Sequence, residues 1–252
     1  MATFVLVHGA WHGGWCWWKT APLLRNAGHL VHTPSLTGLG DREHLARLIP
    51  PAVLNLDLHI RDIVQLLDSD DLSDVFLVGH AYAGMVITGV AELRPERIGA
   101  LVYVNGVAPA NGEAMIDQLA AVRGPEFVAR IRQYVADGEP FMTQPTTAPE
   151  ITQRWAITDP ADQAFVLPRL SPQPTLTFAQ PVRTGRAEAA SIRREFILCS
   201  ESGFESVAEH AAASGWGVHH IDTGHDPMIT EPGALATILL DIAAHVPNPP
   251  IS

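Results

Sequence analysis

"VGHAYAGMV" (Val78–Val86) decides how the rest of the chain is read. It follows the apolar run Val75-Phe76-Leu77-Val78 and leads into a helix-like stretch. Between them Gly79, Ala81, Ala83 and Gly84 supply the small residues that a sharp strand-to-helix turn needs. Short apolar runs of the same kind recur: "TFVLVHG" (Thr3–Gly9), "LVHTPS" (Leu30–Ser35), "IGALVYVNG" (Ile98–Gly106), "REFILCS" (Arg194–Ser200) and "GVHHIDT" (Gly217–Thr223). They are separated by helix-length segments such as "LDLHIRDIVQLLDS", which places Leu56, Ile60, Ile63, Val64 and Leu67 on one face. Alternation of buried strands and amphipathic helices predicts an α/β fold, a mostly parallel central sheet with helices on both faces.

From about residue 111 to 191 that rhythm breaks. Two helical pieces, "AMIDQLAAV" and "EFVARIRQYVADG", precede a run rich in proline, from Pro140 to Pro181. Prolines at that density suit a helical, Pro-rich lid better than further strands of the sheet. The expected organisation is therefore a core of residues 1–110 and 192–252, with a lid of residues 111–191 inserted in it.

Composition narrows the function. A chain of 252 residues, 47% hydrophobic and 17% charged, can bury one sizeable core. The net charge of −11, with no basic run, argues against nucleic acid or an anionic membrane surface as partner. Cys16 and Cys199 stand far apart and make no disulfide framework, which fits a reducing compartment. The first residues lack a basic n-region, and "TFVLVHGA" is too short for a membrane span. The expectation is a cytoplasmic protein, monomeric or homodimeric, acting on a small molecule.

In open parallel sheets, ligands gather at the carboxyl ends of the strands, and three strand ends carry suggestive residues. "HGAWHGGW" (His8–Trp15) follows the first strand, where glycines let backbone N–H groups approach a ligand and stabilise a developing oxyanion. "VGHAYAGMV" is framed by Gly79 and Gly84 as a G-x-S-x-G turn would be, allowing one extra residue, but Ala81 stands where the serine belongs. "DTGHDPMITEP" (Asp222–Pro232) places His225 in a loop after the last strand, where a general base downstream of such a turn lies. His219 and His220 are adjacent on a strand and point to opposite faces, and no zinc-type spacing appears. The expected chemistry needs neither metal nor cofactor.

Taken in order, "FVLVHGAWHGGWCWWK", "TPSLTGLGDREHL", "FLVGHAYAGMVI", "LVYVNGVAP" and "TGHDPMITEP" resemble the α/β-hydrolase superfamily. Within it they resemble the branch of small-molecule esterases, plant methylesterases and hydroxynitrile lyases, and "LSPQPTLTFAQPV" looks like that branch's lid. The resemblance implies a nucleophile site at Ala81, a base at His225, and oxyanion-hole N–H groups from Ala10 and Tyr82. The family acid aligns best with Ser202, which has no carboxylate, so Glu201, one residue earlier, is the candidate triad acid. The preceding strand ends at Asn105, where many relatives carry Asp. Hydroxynitrile lyases place a Lys after the catalytic His; Asp226 stands there instead and favours ester hydrolysis.

Two readings of Ala81 follow. In the first, every neighbour of a Ser–His–acid esterase is kept and only the hydroxyl is gone, as in a Ser-to-Ala inactivated variant. In the second, Ala81 is native and His225 serves as base in a lyase or cofactor-free oxygenase, or the pocket simply binds a ligand as a receptor does. Consistency at every other level favours the first. Trp11, His12 and Trp155 are the expected substrate-binding residues, with Tyr82, Met115, Phe141, Met142 and Phe165 as further candidates for the cavity wall. Such a wall fits a small, largely apolar or aromatic ester, carbamate or amide.

Overall fold

In the computed structural model, which describes residues 1–200 and 202–245, all six expected strands form one sheet. They are β1 (Thr3–Val7), β2 (Leu30–His32), β3 (Val75–His80) and β4 (Ile98–Val104), then β7 (Arg193–Cys199) and β8 (Gly217–Ile221). Their order is β2-β1-β3-β4-β7-β8, and every pairing is parallel. Every residue of β3 is buried. That explains why its sequence is an apolar run without alternation: both faces are covered.

The first half of the core adds α1 (Thr20–Asn26), α2 (Leu56–Ser69) and α3 (Ala83–Leu93). Asn55 caps α2, its side chain accepting the Leu58 N–H at 3.1 Å. The helix then buries Leu56, Ile60, Ile63 and Leu67, while Val64 is only half-buried. His59 joins the buried face, a polar residue that the periodicity alone does not explain. The helix α3 is buried from Ala83 to Ala91 and runs directly out of the turn at Ala81.

Between β4 and β7 the chain makes α4 (Met115–Arg123), α5 (Pro125–Ala136), α6 (Ala148–Trp155), α7 (Pro160–Val166), α8 (Leu176–Ala179) and α9 (Ala187–Ala190). Its extended pieces, β5 (Phe141–Met142) and β6 (Gln173–Pro174), pair antiparallel with each other and not with the main sheet. Three of the prolines, Pro125, Pro149 and Pro160, stand in the first turn of α5, α6 and α7, where a missing N–H costs nothing. The last helices among the described residues are α10 (Glu205–Ala213), α11 (Pro227–Thr230) and α12 (Pro232–Ala244). Cys16 and Cys199 are buried and unpaired with each other.

The closest approach of a glycine to another backbone lies at the start of α3. A Cβ on Gly84 would come within 1.9 Å of the Val107 carbonyl oxygen, so the helix can sit this close to the chain leaving β4 only with glycine there. Gly84→Ala is expected to destabilise the fold by about 2–4 kcal/mol. A urea-unfolding midpoint equal to that of the parent would contradict this packing.

Candidate active site

The chain leaves β1 toward one edge of the sheet and returns to lay β3 on its other side. The loops after these two strands therefore diverge, and a crevice opens at their carboxyl ends. Ala81 occupies the turn after β3 with φ +50°, the left-handed conformation that an L-residue seldom adopts. Its N–H donates to Val104 O at 3.2 Å, while its own carbonyl accepts the N–H groups of Gly84 and Val107. The Tyr82 N–H takes no part in these bonds. The turn thus aims the Ala81 side chain outward from the sheet.

It aims into a cavity of about 360 Å³. Ala10, Tyr82, Trp11, His12, Trp155 and His225 all line it, so the fold brings together residues from four separate stretches of sequence. The segment between β4 and β7 contributes Met115, Leu119, Phe127, Arg154 and Phe178 to the same wall. Of these only Met115 is among the sequence candidates. Phe178 stacks on the Tyr82 ring at 5.7 Å, and Trp11 contacts both Phe178 and Trp155. Phe141, Met142 and Phe165 do not line the cavity, which corrects that part of the expectation. Phe165 instead stacks on Trp18 at 4.0 Å, and Phe141 and Met142 are held in the small β5–β6 ribbon.

The loop carrying His225 runs close against the end of α6, where a Cβ on Gly224 would meet the Trp155 carbonyl at 2.6 Å. The His225 Nδ1 lies 2.6 Å from Asn105 Nδ2. The Asn105 oxygen is fixed on the other side, accepting the Cys199 N–H at 3.3 Å and lying 2.7 Å from the Ser202 hydroxyl. A backbone N–H can only donate, so this amide presents its NH₂ to the imidazole. Asn105 itself has φ +44°. Ser202, the position aligned with the family acid, donates its hydroxyl to the Asn105 oxygen, on the far side of the amide from the histidine. Glu201, the candidate acid, lies outside the described residues.

A strand-borne turn, a histidine after the last strand and a cavity between them are the geometry of one fold family, and residues 4–238 match the model of the Alpha/beta hydrolase family. The chain belongs to the alpha/beta hydrolase family. A carbendazim hydrolyzing esterase from Nocardioides sp. (strain SG-4G) is 37% identical over 244 residues, covering 94% of this chain and 97% of that protein. Salicylic acid-binding protein 2 of Nicotiana tabacum is 28% identical over 257 residues, covering 95% of this chain and 96% of its own. Among solved structures, tomato methylketone synthase I complexed with 2-tridecanone superposes with a TM-score of 0.76 at 25% identity, covering 98% of this chain and 99% of that one. A histidine-to-alanine variant of that synthase was solved with beta-ketoheptanoate.

Around this hydrolase-family site lie four buried histidines whose part sequence reasoning did not foresee, apart from the cavity position of His12. His8 donates from Nδ1 to Gly9 O and accepts the Leu36 N–H on Nε2. His59 donates from Nε2 to Thr37 O and accepts the Tyr82 hydroxyl on Nδ1. One donor and one acceptor each is the pattern of a neutral ring. Burial accordingly pushes His8 down to about 3 and His59 down to about 4. His12 and His80 flank the Asp226 carboxylate, their Nε2 atoms 3.2 and 3.4 Å from its oxygens. His80, His225 and Asp226 also bring ligand-type atoms within 4.8 Å of one another, a convergence of the end of β3 and the loop after β8 that no spacing along the chain reveals. The His80 Nε2 that faces Asp226 donates to the His225 carbonyl at 2.9 Å, so the group is tied by hydrogen bonds and charge. Among the described residues, no helix is long and apolar enough to cross a membrane.

The neutral rings predict acid sensitivity. Unfolding frees His8 and His59 to bind a proton below about pH 6.5, while in the fold they resist to about 3 and about 4. The unfolded state therefore binds more protons in that window, so stability is intact above about pH 6.5 and falls as pH drops. Each ring contributes a slope of about 1.4 kcal/mol per pH unit. Urea titrations between about pH 7 and 4.5 should show His59→Gln flattening the dependence by that amount; an unchanged slope would contradict a neutral buried His59.

Proposed function

We propose that the protein is an ester hydrolase whose cavity takes a small, largely apolar or aromatic carboxylic ester, carbamate or amide, and whose acyl-transfer chemistry requires a hydroxyl at position 81. The observation that carries this is the Ala81 backbone. Its left-handed φ of +50° costs energy and serves to aim a side chain into the cavity, and a methyl group has no chemistry to perform there. With serine at 81, Oγ adds to the ester carbonyl carbon while His225 takes its proton. The oxyanion is held by the N–H groups of Ala10 and Tyr82. Collapse expels the alcohol, which takes the proton from His225, and water releases the acid by the same steps in reverse. With Ala81 the chain binds the ester but forms no acyl-enzyme.

Similarity to the carbendazim hydrolyzing esterase supports an ester or carbamate as the reacting group. The segment of residues 111–191 acts as the lid in this reading, since it supplies the aromatic wall opposite the turn. The two buried, unpaired cysteines fit a cytoplasmic protein.

A second reading is favoured by the Asn105 contact. An amide NH₂ facing Nδ1 favours the imidazole tautomer with its proton on Nε2, the opposite of what a serine base needs. Such a ring donates a proton, and similarity to methylketone synthase I, solved with a ketone and a β-keto acid, suggests a substrate. Loss of CO₂ from a β-keto acid would leave an enolate, its oxygen held by the same N–H groups and its carbon protonated afterwards.

Ala81→Ser separates the two. In a complete triad, loss of the serine costs roughly 10⁶ in turnover. Hydrolysis of p-nitrophenyl acetate by Ala81→Ser should therefore exceed that of the Ala81 protein by several orders of magnitude. No rise in esterase activity, together with CO₂ release from a β-keto acid by the Ala81 protein, would overturn the hydrolase reading in favour of the second.

A further inference from the structure

The group under the loop after β1 has a role that the acyl-transfer account does not use. Asp226 is 0% exposed and His12 1%. A carboxylate so deeply buried needs a counter-charge or a set of donors, and neither of its oxygens has an aligned hydrogen-bond donor. The groups around it are His12, His80, His225 and the thiols of Cys16 and Cys199, and the His225 ring meets the Asn105 amide NH₂ on Nδ1. Burial, and then the Asp226 charge, pushes both thiols up, so they remain neutral. His80 has its Nε2 proton engaged on the His225 carbonyl, and burial pushes this ring down.

His12 is different. Its Nδ1 lies 2.8 Å from the Ala10 carbonyl and its Nε2 3.2 Å from Asp226 Oδ2. With Asp226 as a carboxylate, both partners are oxygens that accept, and a lone pair on either nitrogen would face another lone pair. Only the doubly protonated ring satisfies both contacts. The Nε2–carboxylate contact lies off the line of a hydrogen bond, but Coulomb attraction does not require that alignment.

We propose that Asp226 and His12 form a buried carboxylate–imidazolium pair that fixes the orientation of the Ala10–Trp11 peptide, and that both are positioning residues for the Ala10 N–H. The Ala10 carbonyl is gripped by His12. On the other side of the same peptide, the Trp11 N–H donates to Gln173 Oε1 at 3.0 Å, and in the next peptide the Trp11 carbonyl accepts the Ser171 N–H at 2.9 Å. Trp11 is held between these contacts with φ +64°, a conformation that a free loop would leave. The peptide is clamped from below by the charge pair and from above by the segment carrying β6. The Ala10 N–H lies on the preceding peptide, whose Gly9 carbonyl accepts from His8 Nδ1, and Ala10 lines the cavity, so fixing the Ala10 carbonyl on one side limits how that N–H can turn. Only this last step, from clamped peptide to carbonyl binding, rests on the hydrolase reading.

The test begins with the Ala81 protein and needs no activity. In a sample labelled with ¹⁵N-histidine, side-chain NMR at neutral pH should show both ring nitrogens of His12 bearing protons; a single N–H on that ring would overturn the pair. In Asp226→Asn, the backbone amides of Ala10 and Trp11 should shift and exchange with solvent about tenfold faster or more, while those of α3 stay as in the parent. Unchanged Ala10 and Trp11 amides would overturn the clamp. Should Asp226→Asn fail to fold, Asp226→Glu keeps the charge but moves it by one methylene, and the same two amides should respond. In the Ala81→Ser background, Asp226→Asn should lower kcat by about ten- to a hundredfold with KM changed less than about twofold, short of the ~10²–10³ lost with an oxyanion donor itself. An equal kcat would overturn the positioning role. An inactive Ala81→Ser would count against the hydrolase reading while leaving the NMR results to decide the pair.

Discussion

A left-handed backbone at Ala81 costs an L-residue roughly 1–2 kcal/mol, and the surrounding structure is arranged to hold it. The Val104 carbonyl at the end of β4 takes the Ala81 N–H, and Val107 and Gly84 both donate to its carbonyl. Gly84 lets α3 approach that chain closely enough to make these bonds. The turn could not be held by β3 alone; it requires β4 beside it. Because β4 continues into Asn105, the same strand that fixes the turn also carries the side chain that meets His225. The turn at Ala81 and the His225 imidazole are therefore both referenced to the end of one central strand.

The cavity is completed from the opposite side. Ser171 and Gln173 bond to the Trp11 backbone, and α6 presses on the loop carrying His225 through the contact at Gly224. Polar groups inside this shell are matched in nearly neutral pairs, His8 with Gly9 and Leu36, and His59 with Thr37 and Tyr82. The charged exception, Asp226, is placed under the loop whose peptide it orients. In a low-dielectric interior such a charge acts strongly over a short distance. It stiffens the loop that follows β1.

The sheet was legible because β-strands buried on both faces leave a plain trace, short runs of Val, Ile and Leu such as Phe4–Val7 and Leu101–Val104. Ala81, His225, Ala10 and Tyr82 were legible because each sits at a fixed offset from a strand end. The wall residues were harder. Phe165 and Phe178 are both aromatic residues in a proline-rich stretch, and which one faces the cavity depends on how α7 and α8 pack, a tertiary outcome without a local signal. Asn105 stood out only as a departure from the acid expected there, and its contact with His225 Nδ1 needed the loop after β8 to be in place. The buried His12, His80 and Asp226 come from three stretches, so no spacing along the chain could have announced them.

The account depends most on Ala81 marking the point where an ester carbonyl is bound. The most direct measurement is a crystal structure of the Ala81 protein soaked with an intact aryl ester. The account predicts the ester lying in the cavity with its carbonyl oxygen within hydrogen-bonding distance of the Ala10 and Tyr82 backbone nitrogens and its carbonyl carbon above the Ala81 methyl group. An ester bound in the cavity with its carbonyl turned away from those nitrogens, or no ester bound there at all, would contradict it.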